Sequence, residues 1–326
     1  MRPPDPLLRA LHAAGNVLIA THSPMDGDGL GCGLALQRAL NGAGKRCRFV
    51  TEAALPRAYA FLDGYDGIER LAPGPLPPFD LLLGLDAGDS RRLGRPHAER
   101  PRGSVVCNID HHVSNERYGD VAWVVPEAAA TGELAFALIR ALGLPVDPAI
   151  ALALLVSLVT DTGRFCYSST GPGTFETGAE LLRLGADPDL IHRHLYASVP
   201  LGVLRLHARA TEEIRLPEGG RAALLVVPWG YGADLGAEEE DVKDLVDLVI
   251  SIRGVVVAAL VRGLPSGGSK VSLRSKSDRA DVAALAGRCG GGGHVRAAGY
   301  TSPLGEEAAA AALLPALGQL AVAASG

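Results

Sequence analysis

The sequence predicts an α/β protein with a mostly parallel sheet, followed by a second, smaller α/β domain. In the first half, residues 16–160, short aliphatic runs alternate with helix-like segments. These runs are apolar throughout rather than at every second residue, which is typical of parallel strands covered by helices on both faces. After residue 220, three further strand-like runs are separated by an acidic helix and a Gly-rich turn.

The first half contains five predicted strands, with helix-like segments between some of them. The predicted strands are residues 17–22, 46–50, 80–86, 104–110 and 152–161, and the helix-like segments include residues 33–40 and 131–142. This alternation is the reason for expecting a parallel sheet in this half.

The second half begins with helices. Residues 174–210 predict consecutive helices, one of which starts at the N-cap-like pair Asp187-Pro188. The later strands are predicted at residues 221–229, 254–263 and 270–275, with the acidic helix at residues 238–250. The chain has 326 residues, and about 100–200 residues per domain is usual. We therefore expect a first domain at residues 1–187, a helical linker at 188–220 and a second domain at 221–326.

Cysteine usage and the N-terminus favour a cytoplasmic protein. The five cysteines are scattered and form no Cys-x-x-Cys pair, which argues against both a disulfide framework and a thiolate zinc site. The first residues lack the apolar core of a signal peptide. The most apolar internal run, residues 149–160, is shorter than the roughly 18–20 residues of a membrane span, so no membrane role is expected.

The charge is unevenly distributed. The chain carries a net charge of −5, yet residues 248–304 hold eight Lys or Arg against two Asp. A basic C-terminal region beside an acidic body indicates an anionic ligand, with a solvated basic surface as the alternative.

Carboxylates and histidines end several predicted strands. They are His22, Asp86, Asp110, His111, His112 and Asp161. Because the carboxyl ends of parallel strands lie along one edge of a sheet, these side chains are predicted neighbours. A single Asp at such a position is more often a turn or helix cap. Several carboxylates packed together repel one another and lose hydration, and divalent cations usually compensate for this cost.

The ligand types indicate which metal and which chemistry to expect. Oxygen and imidazole ligands without thiolates favour manganese, magnesium or iron over structural zinc. Two such ions about 3.5–4 Å apart suit in-line attack on phosphorus. The arrangement therefore predicts phosphoryl hydrolysis.

Five ordered motifs carry a resemblance to a known family. They are His22-x3-Asp26-x-Asp28 with Gly31, Leu85-Asp86, Asp110-His111-His112, Thr160-Asp161-Thr162-Gly163-x-Phe165, and Gly290-Gly291-Gly292-Gly293-His294 with Ala297-Ala298-Gly299. In this order, over nearly the whole chain, they resemble the DHH phosphoesterase superfamily, and within it the nanoRNase and pAp-phosphatase branch.

The resemblance implies a two-metal site with manganese as the expected ion. It places His22 and Asp26 on one ion, Asp28, His111 and Asp161 on the other, and Asp86 on both. It makes Asp110 a residue that orients a ligand histidine. It gives His112 a catalytic role, in which the imidazole polarises or protonates the phosphate.

The first motif departs from the family pattern. Proline usually stands directly before the first Asp, whereas here the order is Pro24-Met25-Asp26, and the usual Gly-Ser is Gly31-Cys32. The ligand spacing is kept, so metal binding is expected to survive. Cys32 is predicted to be a small buried residue rather than a nucleophile.

The C-terminal motif predicts a phosphate-binding region. Arg274 supplies a planar fork and Lys276 a point charge, and successive glycines let backbone N–H groups approach a phosphate, to which a following helix N-terminus would add its dipole. A flexible Gly-rich loop is the alternative. By resemblance this is the DHH-associated domain, which closes over the first domain. The expected substrate-binding residues are Arg274, Lys276, Gly291, Gly292, Gly293 and His294.

Three weaker candidates are also assigned. His192 and His194 are predicted surface residues, and Glu133 is predicted in a helix first turn. Asp89 with Arg91 and Arg92 fits substrate contact or a solvated loop about equally well.

The leading hypothesis is a manganese-dependent hydrolase of short oligoribonucleotides, di- to about pentamers, that releases 5′-mononucleotides, with dephosphorylation of pAp to AMP as a second activity. The expected partner is short RNA or a small nucleotide, and neither a long duplex nor a membrane; a homodimer is left open. Alternatives are a phosphodiesterase of pApA or cyclic di-AMP and a nucleotide sensor without turnover. A RecJ-like exonuclease would need more aromatic stacking platforms, and a manganese pyrophosphatase lacks the glycine-rich motif.

Overall fold

The structure, a computed structural model, describes residues 1–217 and 219–324. Its contacts divide the chain into two units, Met1–Ser198 and Val199–Gly326. The division falls within residues 188–220, the segment for which the sequence predicts a helical linker. The functional roles of the predicted domains stay predictions.

The first unit alternates strands and helices. Its strands are β1 (Asn16–Thr21), β2 (Arg46–Thr51), β3 (Glu69–Arg70), β4 (Leu81–Leu85), β5 (Val105–Asp110) and β6 (Val121–Val124). Its α-helices are α1 (Asp5–Ala13), α2 (Gly27–Gly42), α3 (Arg95–Ala98), α4 (Thr131–Ala141), α5 (Pro148–Asp161), α6 (Pro172–Arg183) and α7 (Pro188–Leu195).

All six strands of the first unit run parallel in one sheet, in the order β3-β2-β1-β4-β5-β6. The register aligns Val17 with Leu81 and Leu83 with Cys107. Every residue of β4 is buried, as a strand covered on both faces requires. The predicted α/β class with a mostly parallel sheet is confirmed.

One predicted strand is wrong. Residues 152–161 form the last ten of the 14 residues of helix α5, so Asp161 lies at the end of a helix rather than of a strand. The helix starts where Asp147 caps the amide of Ile150 at 2.9 Å, with Pro148 in the first turn. Because α5 is buried on nearly all sides, it has no polar face, and periodicity alone cannot distinguish it from a buried strand.

Close packing of α2 on α5 explains the glycine of the first motif. A Cβ added at Gly31 would lie 2.3 Å from the carbonyl oxygen of Ala153. Only a residue without a side chain allows the two backbones to approach this closely. Gly31 therefore sets the distance between the two helices that carry Asp28 and Asp161.

The second unit has a mixed sheet. Its strands are β7 (Ala222–Val227), β8 (Val257–Gly263), β9 (Ser269–Ser275), β10 (Gly292–His294) and β11 (Ala297–Ser302), in the order β10-β11-β9-β8-β7. The neighbouring strands β7 and β8 run parallel to each other, whereas the pairs β8–β9, β9–β11 and β10–β11 are antiparallel. Its α-helices are α8 (Leu201–Glu213), α9 (Glu239–Lys243), α10 (Leu245–Ser251), α11 (Val282–Arg288) and α12 (Glu306–Ala323). The predicted acidic helix is thus two short helices.

The glycine run lies in a hairpin, and no helix follows it directly. It comes after α11 and leads into β10 and β11, so the expected helix N-terminus behind the glycines is wrong. A Cβ at Gly291 would lie 2.2 Å from the oxygen of Gly299, and Gly293 has φ 143°. Gly291 is needed because the backbones of the hairpin approach closely at this position. Gly293 is needed because residues with a side chain rarely adopt its backbone conformation.

The C-terminal helix packs one side on the second sheet. In α12, Ala309, Leu313 and Leu317 are buried, whereas Val322 is exposed. Across residues 1–217 and 219–324, no helix combines the length and the apolar character needed to cross a membrane.

Candidate metal centre

The predicted metal ligands gather at one edge of the first sheet. His22 follows β1, Asp86 follows β4, and His111 and His112 follow β5, whereas Asp161 ends α5. Asp26 is the N-cap of α2 and Asp28 lies in its first turn. The crossover connections of the parallel sheet bring these residues together, although they come from five places in the chain.

His22, Asp26 and Asp86 form one potential metal-binding group. Nε2 of His22 lies 3.2 Å from Oδ2 of Asp26 and 3.4 Å from Oδ2 of Asp86. The other oxygen of Asp26 caps α2 by accepting the amides of Asp28 and Gly29 at 3.0 and 3.1 Å. The helix therefore fixes the Asp26 carboxylate so that Oδ2 faces the group.

Asp28, His111 and Asp161 form a second group. Nε2 of His111 lies 3.3 Å from Oδ2 of Asp161 and 3.8 Å from Oδ2 of Asp28. Nδ1 of His111 lies 3.1 Å from the carbonyl oxygen of Ala128, which can only accept a hydrogen bond. Nδ1 therefore carries the proton, and the lone pair of Nε2 faces the two carboxylates, as a ligand histidine requires.

Asp86 lies between the two groups. Its Oδ2 faces His22, and its Oδ1 lies 3.8 Å from Nε2 of His111 and 3.5 Å from Nδ1 of His112. The residue has φ 51°, an unusual backbone conformation for a residue other than glycine. Such a conformation costs roughly 1–3 kcal/mol and is found mainly where function requires it.

The N-terminus of helix α4 holds the Asp28 carboxylate. The amides of Thr131 and Gly132 donate to Oδ2 and Oδ1 of Asp28 at 2.7 and 3.1 Å. Ser157 and Cys32 also donate to Oδ1, Cys32 at 3.3 Å. Three donors occupy Oδ1, so Oδ2 is the oxygen left for a cation.

Thr131 reaches both central carboxylates. Its hydroxyl donates to Oδ1 of Asp86 at 3.2 Å, while its amide donates to Asp28. Thr131 is fully buried. One residue at the positive end of a helix dipole therefore orients an oxygen from each group.

Cys32 is fully buried, as predicted. Burial and the nearby Asp28 and Asp86 carboxylates raise the pKa of the Cys32 thiol well above its usual range. A protonated thiol is a weak donor and a poor nucleophile. Its role in this structure is the hydrogen bond to Asp28.

Asp110 contacts His112 rather than His111. Oδ1 of Asp110 lies 2.7 Å from Nδ1 of His112, and Oδ2 accepts from Nδ2 of Asn115 at 2.5 Å. The hydrogen bond to Asp110 raises the pKa of His112. Burial favours the neutral form of Asp110, but the bonds to His112 and Asn115 outweigh it and lower its pKa.

The charges of the cluster require compensation. Burial, together with the Asp86 and Asp161 charges, raises the pKa of Asp28 well above its usual range. Burial and the other carboxylates also raise the pKa of Asp161 to about 6, against the opposing effect of His111. Burial lowers the pKa of His22, but hydrogen bonds to Asp26 and Asp86 outweigh this effect and raise the pKa to about 10.

The raised pKa values of Asp28 and Asp161 mean that these two carboxylates attract protons at positions where cations could bind. Each of three triplets has its ligand atoms within 4.8 Å of one another: Asp86, His111 and His112; His22, Asp26 and Asp86; Asp28, His111 and Asp161. Oxygen and imidazole donors at this spacing fit divalent ions such as manganese or magnesium.

Several supporting residues were missed from the sequence. They are Thr131, Gly132, Ser157, Asn115 and the carbonyl of Ala128. Ser157 did carry a signal, because it is a hydroxyl in the interior of the apolar run of residues 149–160. Asn115 carried none, since an Asn in a loop is usually a turn residue.

The predicted substrate-binding residues lie in the second unit. Nε of Arg274 on β9 lies 2.8 Å from Oδ1 of Asp247, and Nζ of Lys276 donates to the carbonyl of Ile252 at 3.0 Å. Gly291 precedes β10, whereas Gly292, Gly293 and His294 form it and are exposed. The added-Cβ position at Gly292 meets no atom within 4 Å, so one side of the hairpin is open.

The weaker candidates lie largely as expected. His192 and His194 are exposed, and the His194 ring stacks on Phe61 at 4.5 Å. Glu133 is in the first turn of α4 and is buried. Asp89 caps the amide of Arg91 and pairs with its side chain.

Comparison with known proteins gives matches over both units. Residues 16–158 match the DHH family, N-terminal domain, and residues 221–321 match the DHHA1 domain. The fold is similar to that of an exopolyphosphatase-related protein from Bacteroides fragilis, with a TM-score of 0.90 and 24% sequence identity, covering 99% of this chain and 97% of that one.

Two curated bacterial relatives share one name, bifunctional oligoribonuclease and PAP phosphatase NrnA. The Thermus thermophilus protein is 35% identical over 294 residues, which is 88% of this chain and 84% of the relative. The Bacillus subtilis protein is 24% identical over 222 residues, 67% of this chain and 69% of the relative. With both domains matched in order and the carboxylate and histidine motifs in place, the chain belongs to the DHH family of phosphoesterases.

Proposed function

We propose that the protein is a manganese-dependent phosphohydrolase that degrades short oligoribonucleotides to 5′-mononucleotides and also dephosphorylates pAp to AMP. The observation that carries this proposal is the cluster of carboxylate and histidine ligand atoms around Asp86. The names of the Thermus and Bacillus relatives support the substrate class. The donor types support manganese or magnesium.

The two groups described above would hold two ions, with Asp86 shared between them. His22 and Asp26 would serve one ion, and Asp28, His111 and Asp161 the other. When bound, such ions neutralise charge on a reacting phosphate and make water nucleophilic at neutral pH.

The remaining steps belong to side chains of this protein. Asp110 holds the proton on Nδ1 of His112 and fixes the ring. We assign His112 the role of polarising a phosphate oxygen or giving it a proton from Nε2. Asn115 keeps Asp110 in place from the other side.

We assign substrate binding to the second unit. Arg274, Lys276, Gly291, Gly292, Gly293 and His294 would bind the phosphate of the nucleotide, in a domain that corresponds to residues 221–326. The excess of basic residues in 248–304 and the open side of the hairpin at Gly292 support this. A phosphate at Arg274 would replace or join the Asp247 carboxylate.

We also place the protein in the cytoplasm, where short RNA fragments are its substrates. The scattered cysteines, free in the described residues, support a reducing compartment. No long duplex is expected as a ligand, and a homodimer is left to direct measurement.

A substrate panel tests the proposal. Purified protein with Mn²⁺ would be incubated with pApA, pAp, cyclic di-AMP, inorganic pyrophosphate and a ladder of short RNAs. We expect hydrolysis of pApA and the shortest RNAs first, release of 5′-AMP, and loss of activity with chelator.

Other outcomes identify the alternatives. Faster cleavage of cyclic di-AMP than of pApA would make the protein a cyclic dinucleotide phosphodiesterase. Faster cleavage of pyrophosphate would make it a pyrophosphatase. Nucleotide binding without turnover under all metals would make it a sensor.

A further inference from the structure

The loop after Asp161 has a rare backbone conformation. Gly163, Arg164 and Phe165 have φ angles of 54°, 63° and 62°. A residue with a Cβ seldom adopts such angles, and two in succession are rarer still. Backbone of this kind is found mainly at functional sites, where the surrounding structure enforces it.

Helix α5 and its neighbours enforce this conformation. The amide of Arg164 donates to the carbonyl of Val159 at 2.7 Å, and the amide of Phe165 donates to Oγ1 of Thr162 at 2.9 Å. The Phe165 ring stacks on Phe175 at 5.2 Å. Hydrogen bonds therefore hold the backbone of the loop, and the contact with Phe175 holds the Phe165 side chain.

The fixed loop places the Arg164 guanidinium over the ring of Tyr196, 5.0 Å from its centroid. Arg164 is exposed, and Tyr196 is half-buried. Among residues 1–217 and 219–324, no carboxylate lies within 4.0 Å of the Arg164 guanidinium to form an ion pair. By contrast, Arg140, which lies 6.0 Å from the ring centroid of Phe136, also contacts Glu180 at 3.8 Å.

The loop begins at a predicted ligand. Arg164 is three residues from Asp161, which ends α5. Tyr196 follows α7, which packs against α5 and against residues 57–59. The Arg164–Tyr196 pair is therefore connected to the candidate metal centre through α5.

We propose that Arg164, stacked on Tyr196, is a binding surface for the nucleobase of a nucleotide at the metal centre. Unpaired bases stack on aromatic rings and on the planes of Arg guanidinium groups. An exposed guanidinium plane without an acidic partner, held in place by an enforced backbone, suits this role. The proposal takes its ligand class from the proposed function.

Binding of AMP and ribose 5-phosphate, measured by calorimetry, tests the proposal because ribose 5-phosphate carries a hydroxyl group in place of the base. We expect wild type to bind AMP more tightly, and Arg164→Ala to weaken AMP binding by roughly 10- to 100-fold, the loss typical of one base-stacking contact. Ribose 5-phosphate binding should not change. Arg164→Lys, which keeps the charge but loses the plane, should resemble Arg164→Ala.

One further variant controls for folding and charge. Arg140→Ala removes another exposed guanidinium above an aromatic ring and should bind AMP as wild type does.

The proposal is overturned if Arg164→Ala weakens both ligands equally, which would make Arg164 a phosphate contact, or if it weakens neither. Equal wild-type affinity for the two ligands would also overturn it. Hydrolysis of pAp by wild type, measured separately, reports on the proposed function, so failure of turnover and failure of base binding are distinguishable.

Discussion

Asp86 is the residue on which the two ligand groups depend. Its two oxygens face different groups, and its backbone is held at φ 51°. We predict that Asp86→Asn lowers the rate of pApA hydrolysis with Mn²⁺ by more than roughly 100-fold, since even residues that only support a metal ligand commonly cost 10–100-fold. Asn tolerates this backbone conformation better than Ala, so the variant should fold. Full activity of Asp86→Asn would refute the shared-ligand assignment.

The titrating residues predict how the metal-free protein responds to pH. Asp161 has a pKa raised to about 6 and His22 a pKa raised to about 10. Both folded-state values lie above those of the unfolded chain, so the folded state binds more protons and these groups lose stabilising effect as pH rises. The contribution of Asp161 to stability is lost between about pH 4 and 6, and that of His22 between about pH 6.5 and 10.

We therefore predict that, in chelator, the free energy of unfolding falls as pH rises from 4 to 10, and that added Mn²⁺ reverses the loss above pH 6, because ions bind the deprotonated ligands. Denaturant unfolding at pH 5, 7 and 9 measures this. Asp161→Asn should reduce the acidic part of the dependence, to which the raised pKa of Asp28 also contributes. Increasing stability with pH in chelator would contradict the prediction.

Among the elements, the N-terminus of α4 supports the candidate metal centre. We predict that Thr131→Val, which removes only the hydroxyl bond to Asp86, weakens Mn²⁺ binding by roughly 10- to 100-fold, whereas Thr131→Ser keeps the affinity. Calorimetric titration with Mn²⁺ gives the affinity.

Thr51→Val is the matched control for this measurement. Thr51 is also buried, and its hydroxyl accepts only the amide of Ala53. The control should bind Mn²⁺ as wild type does. If Thr131→Val also binds normally, α4 does not position the carboxylate.

Most elements of the sheet could be predicted from the sequence, because a strand buried on both faces is a short apolar run. This reasoning succeeded for β1, β4 and β5 and placed His22, Asp86 and His111 at one edge. It failed for α5, because a helix buried on all sides is equally apolar. The glycine run was misjudged for another reason, since glycines permit a close hairpin as readily as a loop before a helix.

The supporting contacts were the least predictable part of the centre. The position of Asp28 depends on amides of α4 and a hydroxyl of α5, more than 100 residues away in the chain. Only the packing of α2, α4 and α5 brings these groups together. A single sequence contains no signal for backbone donors of this kind.

At the scale of the whole molecule, the predicted metal ligands and the predicted substrate-binding residues belong to different units. We predict that Arg274→Ala raises the KM for pApA by roughly 10- to 100-fold, as expected for the loss of a charged hydrogen bond of about 1.5–3 kcal/mol, with Mn²⁺ affinity unchanged. Steady-state kinetics and calorimetry separate the two effects.

Asp247→Ala is the control for Arg274. It releases Arg274 from its carboxylate partner and should leave the KM unchanged or lower it. An equal rise in KM for both variants would mean that the ion pair matters only for the fold of the second unit.

We propose that this chain holds two divalent ions on one shared carboxylate. The number of Mn²⁺ ions bound per chain tests it most directly, measured at saturation on metal-stripped protein by electron paramagnetic resonance. We predict two ions for wild type and at most one for Asp86→Asn. A wild-type count of one or none, or two ions retained by Asp86→Asn, would show that Asp86 is not a carboxylate shared by two ions.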